Sequence, residues 1–184
     1  MQKKETNLSL FNNSWYKNGA SSIANIIWYL VSAMFFKSAF PLNRVKVLLL
    51  KMFRAHVGEN VVIKPHVNIK YPWRLNIGNN VWIGEQVWID NLADVCIEDN
   101  VCISQGAMLL CGNHNYKKSS FDLIIGNITL KQGSWIGAKA VVCPGVVVGN
   151  HAVLTVGSIA TKNLNDYTIY QGNPAQAVKE RIIS

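Results

Sequence analysis

From Val57 onward, apolar residues return every six positions. Aliphatic side chains stand at 57, 63 and 69, at 77, 83 and 89, at 97, 103 and 109, and again at 130, 136, 142, 148 and 154. Four positions further on there is usually a small or β-branched residue: Val61, Val67, Val81, Val87, Ala93, Val101, Ala107, Ser134, Ala140, Val146, Ala152 and Ser158. A period of six fits neither a helix of 3.6 residues per turn nor a heptad. It fits short strands joined by tight turns, with three repeats closing one triangular coil and successive coils stacked about 4.8 Å apart. Alternation sets the directions: in Val81-Trp82-Ile83 the outer two side chains point one way and the middle one the other. The aliphatic and small positions then fill the interior of a prism, and Trp82, Trp88, Cys96, Cys102 and Trp135 lie outside it. Gly58, Gly78, Gly84, Gly137 and Gly149 directly follow aliphatic positions. They are predicted to take the positive φ of the corners.

The pattern predicts a mainly β fold, with a parallel β-helix over residues 57–165. Around it lie an N-terminal helical segment (1–56) and a C-terminal turn with a short helix (166–184). Small insertions fall at Tyr71-Pro72-Trp73 and at Asn91-Leu92, and one large excursion runs from about 113 to 128. Such an excursion leaves the core intact and projects outward, where function tends to sit. It begins in LLCGNHNYKKSS (109–120), where His114 occupies the fifth position after Leu109, a class that points outward. Lys117 and Lys118 beyond it read as a solvated loop.

Charge changes the picture at the N-terminus. The chain of 184 residues carries a formal +8, with 49% hydrophobic and 15% charged residues, a globular composition. Residues 1–56 hold eight lysines and arginines against one glutamate, and the remainder is nearly balanced at ten against nine. The same segment contains IANIIWYLVSAMFF (23–36), polar only at Asn25 and Ser32. This run is shorter than the roughly 20 residues of a spanning helix and lacks the cleavage site of a signal peptide. Two readings stand: a helix buried against its own protein or a partner subunit, or one lying on a membrane surface through residues 23–54, with Arg44, Lys46, Lys51 and Arg54 near the headgroups. No nucleic-acid recognition motif accompanies the basic patch, so nucleic acid is not an expected partner. Cys96, Cys102, Cys111 and Cys143 match no zinc or redox spacing and read as reduced structural residues of a cytoplasmic protein, peripheral to the inner face of the membrane on the second reading.

A histidine at the base of an outward loop suits general-base chemistry, because its ordinary pKa of about 6.5 lies near neutrality. It equally suits a loop residue that hydrogen-bonds its own turn. His56, His66 and His151 read as surface positions. His66, His114 and His151 are too scattered for a three-histidine zinc site, and no metal is expected.

The hexads, the histidine loop, GSWIGAKAVVCPGVVVG, VGSIATK and QGNPA together resemble the left-handed β-helix (hexapeptide-repeat) acyltransferases over about residues 57–181. MFRAHVGENVVIKP (52–65), KYPWRLNIGNNVWIGE (70–85) and NLADVCIEDNVCISQGAMLLCGNHNY (91–116) are similar to the colanic-acid-biosynthesis acetyltransferase branch. The resemblance implies a homotrimer with active sites between subunits, acetyl-CoA as co-substrate, and O-acetylation of a sugar or glycan precursor in surface polysaccharide synthesis. It implies His114 as general base and an oxyanion-binding backbone N–H near Gly137 or Ala138 of the neighbouring subunit. For coenzyme A it implies Trp135, Gly137, Ala138, Val156 and Gly157 along the pantetheine arm, Thr161 and Lys162 toward the phosphate end, and Lys179 and Arg181 at the nucleotide. Gln176 stands where relatives often carry a basic residue, and Gly84 where they carry an acceptor-binding asparagine. Glu85, Asp90, Asn91 and Asn113 remain as acceptor-side candidates. Trp82 and Trp88 are expected to pack on the N-terminal helix or a partner. Two alternatives stay open: another small acceptor (serine, an amino sugar or an antibiotic), or a non-catalytic β-helix that serves assembly.

Overall fold

The computed structural model describes residues 4–184, and its short parallel strands wind around three flat faces. The first face stacks His56–Val57, Leu75–Ile77, Val95–Ile97, Ile128–Leu130 and Val147–Val148. The second stacks Val62–Ile63, Trp82–Ile83, Cys102–Ile103, Trp135–Ile136 and Val153–Leu154, and ends in Thr168–Gly172 and Ala175–Glu180. The third stacks Asn68–Ile69, Trp88–Asp90, Met108–Leu110, Val141–Val142 and Ile159–Ala160. Each aliphatic position of the hexad meets its counterpart on the next coil, as in Ile63↔Ile83↔Ile103↔Ile136↔Leu154. All the aliphatic and small positions of the pattern are buried. Burying one such aliphatic side chain is worth about 1.5–3 kcal/mol, and the ladders run the length of the prism.

The corners work differently from the sequence expectation. Positive φ falls three residues after the aliphatic position, at Asn60, His66, Asn80, Gln86, Asn100, Gly106, Gly133, Lys139, Gly145, His151 and Gly157. Asparagine, histidine and glycine are the types that tolerate this region best, which accounts for His66 and His151 as turn residues. The glycine directly after the aliphatic residue serves close approach instead. A Cβ on Gly137 would lie 2.6 Å from the Val156 nitrogen of the next coil, and Gly58, Gly78, Gly84 and Gly149 are equally crowded.

Helix α1 (Ser22–Val31) starts at Ser21, whose Oγ accepts the Ala24 N–H, and runs on into a π-helical turn at Ser32–Phe36. Trp28, Phe36 and Phe53 cluster with ring centroids 5.1–5.2 Å apart, and the Trp28 indole donates to the Ile69 carbonyl at 3.0 Å. Helix α2 (Asn43–Met52) closes the open end of the prism beside the edge strand Val62–Ile63. Asn43 donates to the Val61 carbonyl and accepts from the Ile63 N–H, both at 2.7 Å. Lys46 is fully buried and donates to the Lys64 and Ile63 carbonyls, and desolvation lowers its pKa. Edge groups that would otherwise template another strand are thereby satisfied. Trp82 and Trp88 stay exposed in the single chain, so of the two expected coverings the N-terminal helices do not supply one.

The C-terminus corrects another expectation. Residues 166–184 form no helix: Thr168–Gly172 pairs in parallel with Val153–Leu154, and Ala175–Glu180 folds back antiparallel onto it. The last strand of the second face leaves a row of unpaired backbone groups. A hairpin partner satisfies them directly, which a helix cannot do.

Candidate active site

The excursion leaves the prism between the third face and the first. Gly112–His114 pairs antiparallel with Leu123–Ile125, with His114 opposite Leu123. A Cβ on Gly112 would meet the end of the Leu92 side chain, which would have to turn aside. Asn113 is exposed and its Oδ1 accepts the His114 N–H at 2.8 Å. The half-buried His114 ring stacks on Phe121 with centroids 4.4 Å apart and planes 7° from parallel, and Phe11 leans on it at 5.7 Å. Nδ1 lies 2.8 Å from the Phe121 carbonyl oxygen. A carbonyl only accepts, so the proton sits on Nδ1 and the Nε2 lone pair is left available, with no protein partner among the described residues. Lys117 and Lys118 are exposed, and Lys118 pairs with Asp122 of its own loop at 2.9 Å. Hydrogen bonds from Ser120 and Lys118 hold the Asp122 carboxyl below its usual pKa.

Other candidates separate by corner. Thr161 and Lys162 are exposed at the same third-to-first edge as His114, farther along the prism. Glu85, Gly137, Ala138, Val156 and Gly157 lie at the second-to-third edge. There the Gly137 N–H donates to the Leu154 carbonyl at 2.7 Å and is not free to hold an oxyanion. The Ala138 N–H has no backbone partner among the described residues, while its carbonyl accepts from Gly157. Of the two expected donors, Ala138 alone has a backbone N–H left unpaired among the described residues. Trp135 projects from the second face with its indole N–H donating to the Ser104 hydroxyl at 2.9 Å, and Lys179 is exposed on the outermost strand of that face. Arg181 reaches the first-to-second edge, where Nη1 donates to the Gly133 and His151 carbonyls at 3.1 Å each. That half of its guanidinium ties down the chain end. Within one chain, then, His114 and Ala138 sit on different edges of the prism.

One acceptor-side candidate is corrected. Asn91 is fully buried, donating to the Tyr71 carbonyl at 2.5 Å and accepting from its N–H at 2.9 Å, so it braces a corner and faces no substrate. Asp90 is held by Lys70 at 2.8 Å. What the sequence did not reveal is a strap of residues 7–20 along this edge. The Asn7 N–H donates to the Ser119 carbonyl, Trp73 and Arg74 donate to the Asn18 carbonyl, and the Tyr16 hydroxyl donates to the Leu92 carbonyl at 2.8 Å. Burial pushes the Tyr16 phenol up to about 12. Between strap, α1 and corner opens a cavity of about 1270 Å³, whose lining includes Phe11, Tyr16, Lys70, Tyr71, Leu92 and Leu123. No cluster of three metal-ligating side chains occurs among the described residues.

No family model matches the chain. WcaF of Escherichia coli (strain K12), a protein named as a colanic acid biosynthesis acetyltransferase, is 33% identical over 165 residues, 89% of this chain and 91% of that one. The chain belongs to the hexapeptide-repeat acetyltransferases. The galactoside O-acetyltransferase of E. coli (strain K12) is 32% identical over 140 residues, covering 72% of this acetyltransferase and 66% of the relative. Solved structures agree on the left-handed β-helix. A galactoside acetyltransferase in complex with coenzyme A superposes with a TM-score of 0.76 at 24% identity, over 89% of this chain and 84% of that one. A Vibrio cholerae hexapeptide-repeat acetyltransferase complexed with acetyl-CoA superposes at 0.79 with 20% identity, over 90% and 92%. None of the described helices of the acetyltransferase is long and apolar enough to cross a membrane.

Proposed function

We propose that this acetyltransferase moves the acetyl group of acetyl-CoA to a sugar hydroxyl during surface or exopolysaccharide biosynthesis, with His114 as general base. The observation that carries the reading is the His114 ring, whose Nδ1–H is fixed on the Phe121 carbonyl so that Nε2, without a protein partner among the described residues, is left as a proton acceptor. Nε2 takes the proton of the acceptor hydroxyl as its oxygen adds to the thioester carbonyl. The Ala138 N–H of a neighbouring subunit steadies the resulting oxyanion, a donor type worth on the order of 2.7–4 kcal/mol. Collapse breaks the carbon–sulfur bond, and the imidazolium returns its proton to the departing thiolate.

A homotrimer supplies the second edge. His114 and Ala138 lie on different edges of one prism, so a site using both needs two chains. Outward ladders on the second and third faces are mostly apolar, with Val62, Trp82, Cys102 and Trp135 on one and Asn68, Trp88, Met108, Val141 and Ile159 on the other. The first face presents His56, Asn76, Cys96, Thr129 and Val147, a more polar row that suits solvent better. Val156 and Gly157 line the pantetheine path, and Thr161, Lys162 and Lys179 supply exposed polar and cationic groups toward the phosphates. The free half of Arg181 joins them. Asn113, Glu85 from the neighbouring edge, and the cavity beneath the strap serve the acceptor sugar. The reading includes a cytoplasmic enzyme with a peripheral membrane contact through residues 23–54.

The test is coenzyme A release from acetyl-CoA with a panel of acceptors: sugars and glycan precursors, serine, amino sugars and antibiotics. Turnover is expected with sugars and to fall by about 10²–10⁴ in His114→Ala. Wild-type turnover in that variant would refute the general-base assignment, and preference for serine or an antibiotic would refute the sugar acceptor.

A further inference from the structure

Among the described residues, nothing covers one face of α1 and its π-helical extension. Ile23, Ile26, Ile27, Leu30 and Met34 recur at helical spacing and are 70, 62, 47, 59 and 64% exposed. The opposite face is the one that packs, through Trp28, Val31, Phe35 and Phe36. The bare stripe continues across α2: Met52 borders the same cavity as Ile23 and Ile27, and Leu42 and Leu48 are also exposed. Single exposed apolar residues are ordinary on protein surfaces, but a contiguous stripe of this kind marks an interaction site.

Charge identifies the occupant. Between Glu5 and Glu59 the chain has no acidic residue, yet it carries Lys17, Lys37, Arg44, Lys46, Lys51 and Arg54. All but the buried Lys46 are exposed. Pairing this surface with a second copy would set five cations against five cations with no carboxylate between them. An anionic bilayer accepts both the apolar stripe and its basic border. A helix of ten residues spans about 15 Å, too short to cross and suited to lying in the interface.

We propose that the α1–α2 cap is a docking face for an anionic lipid bilayer. Ile26, Leu30 and Met34 enter the headgroup–acyl boundary, and Lys37, Arg44 and Lys51 meet the lipid phosphates. This assigns named side chains to the peripheral contact of the proposed function and rests on that reading. The three-fold symmetry of the proposed trimer would place three caps at one level, so that each bound cap raises the local concentration of membrane for the other two.

The full chain is sedimented with vesicles of phosphatidylcholine alone and with 30% phosphatidylglycerol. Wild type is expected to pellet with the anionic vesicles and to be released by raised salt. Ile26→Asp with Leu30→Asp should lower binding by about tenfold or more. Arg44→Glu with Lys51→Glu should lower it on the order of tenfold. Thermal unfolding and turnover on a soluble sugar should be unchanged in both. Arg44 and Lys51 are exposed, so the charge variant carries the test if the stripe variant misfolds. Wild type remaining in the supernatant with anionic vesicles overturns both the contact and the assignment. A stripe variant that pellets like wild type overturns the assignment and leaves the membrane contact to another surface. A stripe variant that sediments as a smaller oligomer shows instead that the stripe is a subunit interface.

Discussion

Ile103 and His114 lie eleven residues apart and owe their surroundings to different parts of the chain. Ile103 is fully buried between Ile83 and Ile136, counterparts in the same hexad pattern on the coils to either side. His114 is held by Phe121 across its own hairpin and by Phe11 from the N-terminal strap. In the prism, one local rule applied again and again assigns every side chain to inside or outside. At the excursion the rule stops, and a carbonyl across the same hairpin decides which ring nitrogen carries the proton. Stability therefore concentrates in the repeats and chemistry at their interruption, and substitutions should separate the two.

The largest separation is expected at the two residues just compared. His114→Ala should remove turnover by about 10²–10⁴ while leaving the thermal midpoint near wild type, because the ring lies outside the prism. Ile103→Ala should do the reverse, costing about 2–5 kcal/mol in denaturant unfolding through the cavity left behind. Turnover per folded molecule should survive. If His114→Ala unfolded the protein as readily as Ile103→Ala, the division between prism and excursion would be false.

Asn91 tests the boundary between the regions. Its amide closes both backbone groups of Tyr71 inside the corner, so Asn91→Ala strands a buried donor and acceptor and should cost about 2 kcal/mol. An acceptor-binding role would instead raise the KM for the sugar at unchanged stability. Tyr16→Phe gives the smallest effect, about 1 kcal/mol for the lost hydrogen bond to Leu92. It also has a pH signature. The unfolded phenol ionises near 10 and the folded one near 12, so folding favours the neutral form. The stability from Tyr16 is complete below pH 10 and is lost as pH rises from 10 to 12. Tyr16→Phe should remove that alkaline slope in a series of unfolding midpoints.

The sequence by itself determined the prism, because a six-residue period with alternating strand directions leaves a single consistent interior, and outside the insertions and the excursion Val57 to Ser158 keep to it. It also located the outward histidine as the point where the period breaks. Only the tertiary structure decided how the edges are used. Positive φ moved from the glycines to residues such as Asn80 and His151, since coil stacking, and not the turn, is what demands the missing Cβ at Gly137. The C-terminal segment became a hairpin because an open sheet edge needed partners, a need no local propensity records. Asn91 turned inward and Arg181 bound corner carbonyls because their neighbours come from other coils. Local periodicity survives in a linear sequence. Which free N–H, carbonyl or lone pair remains for a ligand depends on contacts that exist only after the chain has folded.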